Sequence, residues 1–244
     1  MTTYTPAEDE STQNPLSLGE MFLLLCIDDR GKLLASKNMV SLALAGAELA
    51  DLTRRGLLTV TQDLVIQSEE FSGSDTPLAR ISQVLEDSPE NQDAEQWIYR
   101  FGRTALFDAV LAQLEERQMV EELNKKILGI WPCTRYRKWG AFENVDIVTV
   151  LRGALFENEP VDLTTWPVLA LMNMTGILDQ VFPNFSADTV SRVLYTRPGM
   201  TQTSVTESVA EVLQATENVL AEHLTATRGG ASGLPGTRDL RGKD

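Results

Sequence analysis

The stretch that most restricts what this 244-residue chain can fold into is NMVSLALAGAELADLTRRG, residues 38–56. At 3.6 residues per turn Val40, Leu44, Ala47 and Asp51 share one side, and Leu42, Ala45, Leu49 and Leu52 share another. The helix is therefore apolar most of the way round and has to be surrounded by other elements. Asn38 is the expected cap, Arg54 and Arg55 suit the negative C-terminal end, and Gly56 is the expected stop. Being adjacent, the two arginines are expected to splay apart.

The remaining segments supply the surroundings. LSLGEMFLLLCI carries Ser17 and Glu20 at capping-box spacing, with Leu16 and Met21 placed as a hydrophobic staple, and ends at the turn Asp28-Asp29-Arg30-Gly31. LLTV and LVIQ around TQD read as a hairpin. PLARISQVLEDS is one helix, and DAEQWIYRFGRTALFDAVLAQLEERQ is a longer one with a break near Gly102. A second hairpin, MVEELNKKILGIWPCTRY, precedes the helices NVDIVTVLRGALF, TTWPVLALMNMTGILDQVF, SADTVSRVLY and SVTESVAEVLQATENVLAEHL. The expected fold is mainly α: a single helical domain around a helical bundle, with two small β-hairpins, over residues 15–227. Residues 1–14 and 228–244 hold too little apolar surface to offset the entropy of ordering and are expected to be disordered tails.

Composition narrows the function. An apolar fraction of 43% and a charged fraction of 23% are those of a globular protein. No apolar run is long enough to span a bilayer, and the acidic N-terminus MTTYTPAEDESTQNP is unlike a signal peptide, so a cytoplasmic protein is expected. The net charge of −14 argues against nucleic acid as a partner, including for a winged-helix reading of the helix-then-hairpin order. Catalytic patterns are missing too. The single histidine, His223, sits near the end of an acidic helix, and no nucleophile elbow, Walker A loop or dinucleotide fingerprint occurs. Paired carboxylates such as Asp28-Asp29, Glu69-Glu70 and Glu115-Glu116 read as solvated faces. Cys26 and Cys133 form no metal-binding or disulfide framework. The expectation is a protein that is no enzyme and carries no metal and no cofactor.

Against this acidic background, residues 125–139, KKILGIWPCTRYRKW, hold five of the 21 Lys and Arg and no acid, which leaves −19 for the rest. With Gly129 near the turn, Ile127, Leu128, Ile130 and Trp131 form an apolar tip. Lys125, Lys126, Arg135, Arg137 and Lys138 form a basic collar beneath it. Such a tip can enter the acyl boundary of a membrane while the collar meets anionic headgroups. Packing on the domain itself, on a second subunit or on another protein partner stays open. So does the role of Arg100 and Arg103 in WIYRFGRT, whose i, i+3 spacing suits them to grip a phosphate or simply to balance nearby acids.

The order LSLGEMFLLLCIDDRGKLL, LALAGAELADLTRRGLLTV, LEERQMV before the apolar hairpin, then PVLALMNMTGILDQVF, resembles the Golgi phosphoprotein 3 family over about residues 16–200, in a bacterial, actinobacterial-type form. The resemblance implies a helical peripheral membrane adaptor that recognises phosphatidylinositol 4-phosphate, with a hydrophobic hairpin that inserts into the bilayer or mediates oligomer contacts. Ile127 to Trp131 take that hairpin's place. The family's headgroup tryptophan falls near Ser36, the arginine of the central helix at Ala45, and the later arginine pair near Thr104 and Phe107. Arg100 and Arg103 keep that pair's spacing one turn early. The reading is a membrane-binding adaptor at the inner face of the membrane, self-associating, with anionic lipid (a phosphoinositide in the family's pattern) and an unidentified protein as partners. The alternative is a soluble homo-oligomeric interaction scaffold that has lost the headgroup site.

Overall fold

The computed structural model describes residues 15–61, 64–67, 76–88, 93–127, 131–139, 147–157, 159–195 and 204–230. The expected tail 1–14, residues 231–244 of the expected tail 228–244, Glu69-Glu70, and the hairpin-tip residues Leu128 and Ile130 lie outside them; residues 228–230, expected in that tail, instead continue the last helix.

The central helix, α2 (Lys37–Arg54), is buried without interruption from Met39 to Thr53. Its N-cap is Ser36, two residues before the expected Asn38. Ser36 Oγ accepts from Met39 N at 3.3 Å, and the preceding loop is held by Leu34 N donating to Cys26 O at 2.8 Å. α1 (Leu18–Leu25) begins with both bonds of the capping box: Glu20 N donates to Ser17 Oγ at 3.0 Å, and Ser17 N donates to Glu20 Oε2 at 2.7 Å. Around α2 lie α3 (Pro77–Glu86), α4 (Ala94–Gly102), α5 (Leu106–Glu116), α6 (Ile147–Arg152) with a π-helical turn at Gly153–Glu157, α7 (Thr165–Met174), α8 (Leu178–Val181), α9 (Ala187–Tyr195) and α10 (Ser204–Gly230). The break between α4 and α5 follows Gly102, as the sequence indicates.

Two antiparallel hairpins complete the fold. β1 (Leu58–Thr61) pairs with β2 (Leu64–Gln67), and β3 (Val120–Ile127) pairs with β4 (Trp131–Lys138). The first is tied to the last helix, where Ser208 Oγ donates to Val60 O at 3.0 Å. The fold is thus mainly α with two small hairpins, as expected, and one continuous core runs through the described residues from Leu16 to Leu220.

α2 and α10 cross closely at Gly46 and Thr216. A Cβ at Gly46 would overlap Thr216 Oγ1 and stand 2.7 Å from Thr216 Cγ2. Gly to Ala in an open helix stabilises by about 1 kcal/mol, but here the added methyl has no room, and overpacking costs about 1–3 kcal/mol. Gly46→Ala is therefore expected to lower the urea midpoint, and Thr216→Ala in the same chain to restore part of the loss; a double-mutant cycle reads the coupling.

Candidate functional site

α4 carries both arginines singled out in the sequence. Its first turn is capped by Asp93, whose Oδ1 accepts from Gln96 N at 2.7 Å. Ala94, Trp97, Ile98 and Phe101 face the core, which turns Arg100 and Arg103 outward. Their aromatic neighbours then separate them. The Arg100 guanidinium lies 5.0 Å from the Trp97 ring and its Nη1 donates to Ser88 Oγ at 3.2 Å, at the end of α3. The Arg103 guanidinium lies 5.6 Å from the Tyr99 ring, whose hydroxyl donates to Glu222 of α10 at 2.6 Å. One arginine looks to α3 and the other to the α10 side.

Between α3 and the α4–α5 corner is a cleft of about 310 Å³. Buried Ile81, Phe101 and Leu106 and half-buried Val84 line it, together with exposed Arg80, Arg100 and Thr104. Arg80 thus joins Arg100 at this feature, and Arg103 is not part of its lining. Thr104 uses its hydroxyl locally, donating to Phe101 O at 2.7 Å.

The basic hairpin forms an arm. Its register runs from Val120↔Lys138 to Ile127↔Trp131, a ladder of roughly 24 Å at the usual strand rise. Trp139 N closes the base of the ladder by donating to Met119 O at 3.0 Å, and that base is held to the body, where Tyr136 N donates to Gly31 O at 2.9 Å and the Tyr136 ring meets Phe107 edge-on at 6.2 Å between centroids. Within the collar, exposed Arg137 pairs with Glu121 at 3.1 Å and lies over Trp139. Arg135 is half-buried, and its Nη1 is shut off from solvent without a hydrogen-bond partner among the described residues. Lys138 is held below the usual lysine range by burial, with Asp29 opposing that shift. Lys125, Lys126, Ile127 and Trp131 take their places in the ladder as backbone positions.

A helical domain with a basic arm and an arginine-flanked cleft, and with no described helix long and apolar enough to cross a membrane, defines the class. The chain belongs to the Golgi phosphoprotein 3 (GPP34) family, whose model matches residues 18–216. No curated protein matches the chain. The positions to which the resemblance assigns headgroup residues are built differently here. Ser36 caps α2, Ala45 is fully buried, and Phe107 is buried beneath Lys37, whose Nζ lies 4.4 Å from the ring. Lys37 is itself paired with Asp108 at 2.8 Å.

Sequence reasoning missed a buried carboxylate cluster. Glu20, Glu48 and Asp51 are all buried where α1 meets α2. Asp51 is gripped by Arg54 Nε at 2.6 Å and Arg55 Nε at 2.8 Å, so these two arginines converge on one carboxylate and do not splay apart. Arg117 Nε reaches Glu20 Oε1 at 2.9 Å, an ion pair not aligned as a hydrogen bond. Glu48 Oε1 accepts from Ser17 Oγ at 3.0 Å, while its Oε2 is buried with no hydrogen-bond partner among the described residues. Gly19 makes room for this carboxylate, because a Cβ there would overlap Oε1. The available signal was an acid pair at i, i+3 inside a helix apolar all round, with arginines three and four residues further on. Among the described residues no group of three or more His, Cys, Asp or Glu is arranged to hold a metal ion.

Burial, reinforced by Asp51, pushes the Glu48 carboxyl up to about 8, with the Ser17 hydrogen bond opposing the shift. Burial also raises Glu20, against the Ser17 N–H and Arg117. A folded-state value above the unfolded one means that the folded chain holds the extra proton. The Glu48 contribution is therefore complete below the unfolded carboxylate value and is lost as pH rises through about 8. The slope reaches at most about 1.4 kcal/mol per pH unit. Glu48→Gln is expected to flatten the fall in urea midpoint between pH 6 and 9 and to be more stable than the parent at pH 9; identical pH profiles for the two proteins would refute the assignment.

Proposed function

We propose that the protein is a non-enzymatic peripheral membrane-binding adaptor, cytoplasmic and self-associating, whose basic hairpin contacts anionic lipid. The observation that carries this reading is the β3–β4 arm, which gathers positive charge on an otherwise acidic chain and is anchored at its base by Val120 and Tyr136. Ile127, Leu128, Ile130 and Trp131 enter the acyl boundary, and Lys125, Lys126, Arg135, Arg137 and Lys138 meet the headgroups. Large apolar side chains contribute roughly 1.5–3 kcal/mol each when fully buried, and each cation adds about 1 kcal/mol near an anionic leaflet. Acidic groups farther away than a Debye length of about 8 Å are largely screened from that contact. Arg100 and Arg103 are the cations of α4 that meet lipid phosphate, each from its own side of the helix. Family membership supports a phosphoinositide as the lipid.

A second reading, a soluble homo-oligomeric scaffold that has lost the headgroup site, is favoured by one observation. Ala45 and Phe107 are buried and Lys37 is committed to Asp108, at or beside the positions where the family's headgroup residues fall. The hairpin is then a subunit or partner contact.

Co-sedimentation with neutral vesicles, phosphatidylserine vesicles and vesicles containing phosphatidylinositol 4-phosphate, at low and high salt, separates the two. The expected result is binding that needs anionic lipid, weakens with salt, and falls at least about tenfold in Ile130→Asp/Trp131→Asp, with an unchanged urea midpoint. Undiminished binding by that variant overturns insertion. No binding by the parent, together with a reduced oligomer mass for the variant in lipid-free solution, establishes the scaffold.

A further inference from the structure

We propose that the cavity between α7, α9 and α10 is a binding site for one small primary amine, with its apolar body on Trp166, Ala170, Val190 and Leu213 and its ammonium group toward Asp179 and Glu217. The cavity measures about 480 Å³, within the range of small-molecule pockets. Its carbon surface comes from three helices: buried Trp166 and Ala170 of α7, Val190 of α9 and Leu213 of α10. Trp166 Nε1 donates to Leu194 O at 3.0 Å, which ties α7 to α9 and spends the one polar group of the indole.

The polar part of the lining is one-sided. Among the described lining residues the charged groups are the carboxylates of Asp179 and Glu217, and no lysine or arginine joins them. Asp179 is exposed, and its carboxylate makes no hydrogen bond or ion pair among the described residues. Gln214 Nε2 donates to Glu217 Oε2 at 3.4 Å and to Asn218 Oδ1 at 3.3 Å. Both amide donors are then engaged, and Gln214 has its carbonyl oxygen left to offer. A carboxylate accepts several bonds, so Glu217 keeps acceptor capacity beside that one contact. An anion entering here meets like charge and few donors. A primary ammonium group has three donors and no acceptor and so matches this set, whereas a quaternary one brings no N–H to it.

The site is separate from the membrane reading. Neither Arg100, Arg103 nor any described residue of the β3–β4 hairpin lines the cavity, and its ligand is opposite in charge to the lipid proposed for the hairpin. The same ammonium chemistry occurs on the lysine side chains of proteins. A free amine is favoured because the carbon surface takes up a carbon body, whereas the peptide groups flanking a lysine lose their water there without gaining partners.

The test is calorimetric titration of the full chain at neutral pH, without vesicles, using tryptamine. Controls are indole-3-propionate (the same ring with a negative charge), indole, methylammonium, and Nα-acetyl-lysine methylamide as a stand-in for a protein lysine. The expected result is one tryptamine per chain, with every control at least about tenfold weaker, since each lacks the ammonium group or the apolar body, or adds peptide groups to bury. Asp179→Asn/Glu217→Gln, at two exposed positions, is expected to bring tryptamine down to the level of indole. Ala210→Trp and Ser191→Trp, at half-buried and exposed lining positions, are expected to abolish binding, and both are checked by circular dichroism and urea midpoint. Ile130→Asp/Trp131→Asp is expected to titrate like the parent, so failure of membrane contact leaves this result standing. Absence of binding by the parent overturns the proposal. So does indole-3-propionate or the lysine derivative binding as tightly as tryptamine, or binding unchanged in the charge variant or in both tryptophan variants.

Discussion

Everything in this molecule is arranged around a helix that has no face to spare. α2 is buried from Met39 to Thr53, so every element beside it must present apolar surface to it, and every polar group it carries must be answered inside the protein. Asp51 is answered by two arginines of its own C-terminal end, which doubles as compensation for the helix dipole. Glu48 is answered in part by Ser17, the residue that also starts α1. One side chain thereby fixes both where α1 begins and where it sits on α2.

That packing decides where the surface chemistry can be. With the core face of α4 committed to Trp97, Ile98 and Phe101, its arginines are displayed outward over the aromatic rings of the same helix. The corner after Gly102, itself packed on Leu42 of α2, swings α5 away and leaves the α3 side open as a cleft. The same α5 supplies Phe107, against which the base of the basic arm is seated.

Much of this was legible from local pattern. The all-round apolar stretch, the Ser17–Glu20 box, the break at Gly102 and both hairpins are features in which neighbouring residues determine the outcome. What escaped depends on partners distant in sequence or on competition between similar signals. Ser36 and Asn38 are both good caps, and the loop fastened to Cys26 O chose between them. Acids read as solvated by default, and only the seating of α1 on α2 buries Glu20 with Glu48 and Asp51. The i, i+3 spacing of Arg100 and Arg103 suggested one shared helix face, yet Trp97 and Tyr99 draw the two guanidiniums to different neighbours. Arg80 came unannounced, because α3 and α4 are brought together by tertiary packing that no spacing reveals.

The close seating of Thr216 against Gly46 joins residues 170 positions apart in the chain. During synthesis at about 5–20 residues per second, α2 waits roughly 10–30 seconds for the helix that covers it. Throughout that interval the face of α2 that Thr216 covers lacks its partner. The central helix is therefore completed by the C-terminal-most of the described helices, and its burial is a late event in the synthesis of the chain.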